Sequence, residues 1–215
     1  MRIFAVTYTY NDAALLDALL AELARWSVRP HALLAVDDAS ASPYVFPSKA
    51  ESALAGLELN VLRLAANAGP VGAKRAGMDA AAASGAEVIL SLDADIRPQR
   101  DWLARALPYL ADPGIGLVGA RFAPGPGEDS LSRYLRAFFT PPPLDEETPF
   151  LGAGLWLIRR DTWLSVGGFG DFNEKTHEDL YFCLKLHAAK LRMLAVNSKP
   201  VCQARVLRRL DYLRR

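Results

Sequence analysis

The stretch EVILSLDAD, residues 87–95, decides how the rest of the chain is read. Val88 to Leu92 is a short run with no charge, the signature of a strand covered on both faces. It ends abruptly in Asp93 and Asp95, which share one side of a strand because side chains alternate with period two. Two like charges at the end of a buried strand are costly unless something of opposite charge meets them.

The same design recurs upstream. Arg2 to Tyr8 and Ala32 to Val36 are further apolar runs, the first leading into Thr9-Tyr10-Asn11 and the second into Asp37-Asp38. Leu59 to Leu64 and Ile115 to Ala120 complete the set in the first half. Between them lie helical patterns. Asp12 to Arg25 carries Leu15, Leu16, Leu19, Leu20 and Leu23 at helical spacing with Asp12 as its cap, and Val71 to Ala83 and Asp101 to Leu110 follow. Alternating strands and helices predict an α/β fold: a Rossmann-like, mostly parallel central sheet with helices on both faces. In such sheets ligands bind beyond the carboxyl ends of the strands. Tyr8 to Asn11, Asp37-Asp38, and Asp93 with Asp95 all fall at those ends and aim at one crevice.

The second half has a different texture. Pro124 to Gly127 and Thr140 to Pro149 are rich in Pro and Gly, and the segment between them is expected to lie over the crevice as a flap. Gly152 to Arg160 returns as a strand, and Thr176 to Lys190 reads as a helix with Glu178 and Asp179 in its first turn. The reading is one domain over residues 1–215. Its divisions fall at 1–121, 122–203 and a basic tail, 204–215.

Composition excludes several classes. Lys plus Arg number 25 against 24 for Asp plus Glu, so no overall field calls for nucleic acid. The two cysteines, Cys183 and Cys202, lack metal-site spacing and read as reduced core thiols. MRIFAVTYTY lacks the apolar core of a signal peptide, and no run nears the roughly 18 apolar residues of a membrane span. A soluble, cytoplasmic protein is expected. Arg205, Arg208, Arg209, Arg214 and Arg215, interleaved with Leu207, Leu210 and Leu213, suit either a peripheral contact with anionic lipid or the solvated end of a helix.

Hard divalent cations prefer oxygen ligands, and Mg²⁺ takes only one or two protein carboxylates before completing its shell with water and phosphate. Asp93 and Asp95 suit such an ion; an acidic loop capping the next helix, with Asp101 nearby, would look the same. Asp38 suits a pyrimidine ring N–H or ribose hydroxyls, or else an Asx turn. Asn67 to Arg75 is a Gly-containing loop opening a helix, with Lys74 and Arg75 in its early turns. His177 stands before the acidic pair, either toward a metal or diphosphate or at the surface. Trp156 and Trp163 offer flat faces to a sugar ring or to the core.

TYTYN (7–11), VDDAS (36–40), NAGPVGAKRAG (67–77), LDAD (92–95), GAGLWLIRRDTWLSVGGF (152–169) and HEDLYF (177–182) together resemble family 2 glycosyltransferases in order and spacing, over roughly residues 3–200. The resemblance implies a GT-A fold, a nucleotide-diphosphate sugar donor (UDP, GDP or dTDP linked), an Mn²⁺ or Mg²⁺ ion, inversion at the anomeric carbon and a saccharide or lipid-linked acceptor. Carried over by position, Tyr8 and Thr9 match the loop beneath the base, Asp38 the base-contacting carboxylate, and Lys74 a basic residue near the base or diphosphate. Asp93 matches the ribose or water-mediated metal contact, Asp95 the direct metal ligand, and Asp179 the catalytic base. Glu178, Gly152, Trp156 and His177 fall on the acceptor side or behind it, so the resemblance makes 1–121 a nucleotide-sugar-binding half and 122–203 an acceptor and catalytic-base half. This chain departs from the pattern at Tyr8, where Pro is usual, at Lys74-Arg75, where Arg-Asn is common, and at Tyr181 and Lys185. It lacks the Gln-x-x-Arg-Trp motif of processive synthases, which points to single additions.

The chemistry is coherent. A cation on the diphosphate stabilises the leaving group, and one base opposite it takes the acceptor proton. One base facing one leaving group gives direct displacement. A haloacid-dehalogenase-type phosphatase needs a different DxD context on the first strand, and a sugar-nucleotide nucleotidyltransferase needs a Gly- and Arg-rich first loop. A non-catalytic sugar-nucleotide-binding protein on the same fold is the remaining alternative.

Overall fold

The computed structural model describes residues 1–123, 133, 134, 137, 144–197 and 201–203. Parallel strands β1 (Ile3–Thr9), β2 (Ala32–Asp37), β3 (Glu58–Arg63) and β4 (Val88–Leu92) form one side of an eight-stranded sheet. The sheet continues through β9 (Leu155–Arg159), β6 (Ile115–Gly119), β10 (Arg192–Val196) and β8 (Asp145–Glu147), in the order β3-β2-β1-β4-β9-β6-β10-β8. A second, three-stranded sheet joins β5 (Ile96–Arg97), β11 (Val201–Gln203) and β7 (Phe122–Ala123) in the order β5-β11-β7.

Strand alternation divides the core in two. Ile3 and Ala5 face helix α1 (Ala13–Leu23), whose Leu16, Leu19, Leu20 and Leu23 are fully buried, and helix α4 (Trp102–Ala106). Phe4 and Val6 face helix α3 (Gly69–Ala83) and, farther along the sheet, the aromatic cluster of Trp156, Trp163, Phe169 and Phe182. Helix α3 lies unusually close to the sheet at Gly77. A Cβ there would overlap Val6 Cγ1 and stand 2.8 Å from Val36 Cγ2. That closeness lets a side chain from α3 reach the strand ends.

The sequence pattern misses several features for identifiable reasons. Strand β9 runs antiparallel to both β4 and β6; a continuous apolar run reads the same in either direction. The helix expected over Asp101 to Leu110 stops at Ala106 and tightens into a 3-10 turn, Leu107–Ala111, because Pro108 has no N–H to continue the α pattern. Asp12 occupies the N-cap of α1 but makes no side-chain cap hydrogen bond. A short helix, α2 (Ser48–Ala53), stands where the sequence reads as loop. Within the Pro-rich Thr140 to Pro149 stretch, Asp145–Glu147 is edge strand β8 and pairs with β10. Most of the expected flap and the whole basic tail, 204–215, lie outside the described residues. Among the described residues no helix is long and apolar enough to cross a membrane.

Candidate active site

Parallel register sets the ends of β1, β2 and β4 on one edge of the sheet. Because β9 runs the other way, its beginning arrives at that same edge, with Leu155 opposite Leu92. The Asp93 N–H donates to the Gly154 carbonyl at 2.9 Å, sewing the acidic turn to the entrance of β9. Gly154 has no room for a side chain, since a Cβ would stand 2.9 Å from the Phe122 ring. After β9 come helix α5 (Arg160–Ser165) and helix α6 (Glu178–Ala188). His177, immediately before α6, holds φ at 72°, a left-handed conformation that costs a non-glycine residue energy and clusters at functional sites.

These pieces surround a cleft of about 880 Å³. Its lining includes Tyr8 and Thr9 from β1, Tyr10 just after it, Asp38 and Asn67 from the next loops, Asp93 and Asp95, and Lys175 through Asp179. Among the described lining residues six are carboxylates (Asp12, Asp38, Asp93, Asp95, Glu178 and Asp179), against one lysine, Lys175. Such a cleft is built to be completed by positive charge.

The sequence-nominated residues take distinct places. Asp38 is 2% exposed; its Oδ1 accepts from the Ala68 N–H at 2.7 Å and its Oδ2 from Asn67 Nδ2 at 2.9 Å. The Asn67 loop thus fixes the carboxylate at the cleft wall. Thr9 is buried, and its Oγ1 has no hydrogen-bond partner. Asp179 accepts the Leu180 N–H through Oδ1 at 2.8 Å, and its Oδ2 lies 3.9 Å from where a Cβ on Gly152 would stand. Gly152 therefore borders the proposed base. His177 bonds Thr176 Oγ1 through Nδ1 at 2.8 Å and lines the cleft.

Lys74 enters from beneath. Its Nζ stands 3.2 Å from Asp93 Oδ1 and 3.3 Å from Glu178 Oε1, and donates to the Ala153 carbonyl at 2.9 Å. Burial alone would lower its ammonium, but Asp93, Tyr8 and Glu178 outweigh that and raise it above the ordinary lysine value. Burial raises the Asp93 carboxyl, helped by Asp95 and opposed by Lys74. Burial also pushes the Tyr8 phenol up, against the pull of Lys74.

Trp156 and Trp163 belong to the core and not to the cleft. Trp156 is 0% exposed and packs 5.2 Å from Phe182, while Trp163 donates from Nε1 to Asp79 at 2.9 Å. Neither can lie on a sugar ring; Trp156 backs the site from behind. Tyr10 offers what they do not, a 51% exposed aromatic side chain on the cleft wall. It sits inside the TYTYN stretch, where exposure alone distinguishes it from Tyr8 and no residue pattern signals that difference.

Asp37 has a structural task beside Asp38. It is fully buried and accepts from the Ser40 N–H at 2.9 Å, the Tyr44 N–H at 3.0 Å and Arg63 Nη1. Burial alone would raise its carboxyl, yet those hydrogen bonds bring it down to about 2. A folded value below the unfolded one gives stability that is full above the unfolded value and is lost as pH falls through the folded one. Asp37→Asn should therefore cost roughly 1–3 kcal/mol at neutral pH, with the gap closing toward pH 2. Urea unfolding of both proteins across that range checks it; a gap independent of pH would exclude the charged hydrogen bonds as its source.

Among the described residues no three His, Cys, Asp or Glu side chains converge as a metal-binding group. Those residues alone thus supply no closed, zinc-like cage. Carboxylate oxygens at an open cleft, with Asp93 Oδ1 buried and lacking a hydrogen bond, fit a hard cation that takes its remaining ligands from phosphate and water.

The family model described as Glycosyl transferase family 2 matches residues 5–164. The pre-mycofactocin glycosyltransferase of Mycobacterium tuberculosis (strain CDC 1551 / Oshkosh) is 27% identical over 176 residues, covering 78% of this chain and 36% of that protein. The chain therefore spans about a third of the length of that relative. The mannosyltransferase PcManGT from Pyrobaculum calidifontis, solved in complex with GDP-Man and Mn²⁺, superposes with a TM-score of 0.70 at 22% identity, covering 99% of this chain and 59% of that one. TarS 1–349 of S. aureus, in complex with UDP-GlcNAc, gives 0.70 at 18% identity, covering 97% and 59%. GalNAc-T7 with UDP, GalNAc and Mn²⁺ gives 0.75 at 16% identity, covering 98% and 45%. These structural likenesses establish the GT-A type of fold.

Proposed function

The chain belongs to glycosyl transferase family 2, and on that premise we propose that it moves a sugar from a nucleotide-diphosphate donor to an acceptor hydroxyl with inversion. The observation that carries the reading is the shared cleft: Asp38 and Tyr10 on one wall, Asp95 at the end of β4, and Asp179 at the start of α6. Tyr10 is placed to stack on a nucleobase and the Asp38 carboxylate to accept from its ring N–H. Asp95, with Asp93 beside it, is the site for Mn²⁺ or Mg²⁺. That cation, when bound, supplies Lewis-acid stabilisation of the diphosphate leaving group. Asp179 takes the acceptor proton as the new glycosidic bond forms. Glu178, the carboxylate beside Asp179, is tied to Lys74 and not free to attack a sugar, which favours one displacement over two. The acceptor is a saccharide or lipid-linked hydroxyl in cell-envelope, polysaccharide or glycolipid synthesis.

Thermal denaturation with UDP, GDP and dTDP, each with Mn²⁺ and again with EDTA, tests this. A nucleotide held at a hundred times its dissociation constant adds about 2.7 kcal/mol to the folded state, which moves the midpoint by several degrees. The expected result is a rise for at least one nucleotide in Mn²⁺ and its loss in EDTA. An undiminished rise in EDTA would remove the cation from the reading, and no rise with any of the three would remove the donor.

A further inference from the structure

Lys74 is a cation in the core that makes no use of the cleft above it. Its side chain is 2% exposed. An ammonium carries three N–H donors and no acceptor. The Ala153 carbonyl, Glu178 Oε1 and Asp93 Oδ1 surround it at 2.9, 3.3 and 3.2 Å, and the Tyr8 ring covers it at 5.6 Å. Two hydrogen bonds and the ion pair with Asp93 thus hold the ammonium from within the protein. The partners also come from separate parts of the chain: the loop entering β9, the end of β4 and the first turn of α6.

We propose that Lys74 is a positioning residue, whose buried ion pairs with Asp93 and Glu178 lock the cation-binding strand end and the catalytic-base helix into one unit. Consecutive residues of a helix point about 100° apart. Pinning Glu178 inward therefore turns its neighbour Asp179 to the cleft. Asp93 and Asp95 lie two apart on one strand end, and tying Asp93 to Lys74 makes Asp95 the member of the pair that the cation meets. The inference deepens the function proposed above and rests on it for the roles of Asp95 and Asp179. The lock itself can be measured without any ligand.

The test is a mutant cycle of wild type, Lys74→Met, Glu178→Gln and the double variant, in which removing both charges returns the trio to its native net charge. Two quantities are read: the ligand-free melting midpoint, and the dissociation constants of UDP and GDP in Mn²⁺ well below that midpoint. Lys74→Met should lower the midpoint and weaken nucleotide binding by roughly tenfold, within the range of coupled neighbours. The double variant should regain much of both. If it regains the midpoint but not the affinity, Lys74 touches the nucleotide directly and the proposal fails. If it regains neither, or fails to fold, the lock is not what Lys74 provides, and the proposal fails as well. Should wild type bind neither nucleotide, the donor reading falls while the melting arm still decides whether the lock exists.

Discussion

Asp179→Asn is expected to leave donor binding nearly unchanged and to cut transfer by roughly 10²–10⁴-fold, the range attributed to general base catalysis. The substitution is close to silent structurally. The amide keeps an oxygen to accept the Leu180 N–H, which the carboxylate now holds at 2.8 Å. What it loses is the capacity to take a proton on the oxygen that lies toward Gly152, at the cleft wall. Steady-state transfer to a competent acceptor, with nucleotide affinity measured in parallel, separates the two effects. Near-normal transfer would reduce Asp179 to a carboxylate that merely suits the start of a helix.

Asp95→Ala should abolish the cation dependence of nucleotide binding. The expected loss of affinity in Mn²⁺ is about 10²-fold or more, since a Lewis acid on a diphosphate contributes several kcal/mol. The residue is half-buried at the cleft and not in the core, so the fold should survive. Asp93→Ala should behave differently. It leaves the buried Lys74 ammonium with Glu178 as its one remaining carboxylate, and removing a partner from a buried ion pair destabilises the whole molecule. Calorimetric titration with and without EDTA, beside melting curves for both variants, tells them apart. An Asp95→Ala protein that binds as tightly as wild type in Mn²⁺ would clear that residue of any part in holding the cation.

Much of this arrangement is legible in the residues, and the division follows physical lines. Strand ends that stop in carboxylates announce themselves because charge is expensive beside an apolar run. Asp38, Asp93 and Asp95 all reach one cleft for that reason. Helix α1 shows in its leucine spacing. Strand direction does not show, so β9 could be placed in the chain but not oriented in the sheet. The fate of a charged side chain is equally hidden when its partners are remote. Lys74 and Glu178 are 104 residues apart, and nothing in NAGPVGAKRAG says that its lysine points into the core. Tryptophans advertise flat faces in any sequence, but whether solvent sees them depends on packing, which buried Trp156 and left Tyr10 exposed.

The antiparallel strand β9 has a consequence for how the molecule comes into being. Among the described residues it alone links β4 to β6 in the eight-stranded sheet. A chain emerging from its N-terminus can pair β1, β2, β3 and β4 early, but β4 keeps an unsatisfied edge until β9 has been made. Contacts so distant in sequence close slowly, because loop entropy must be overcome first. During that interval the two aspartates after β4 stand at the border of an unfinished structure, without the helix that carries Asp179. On the roles proposed above, the residues that hold the donor and the one that takes the proton are thus completed at different times, and the whole site is a late product of folding.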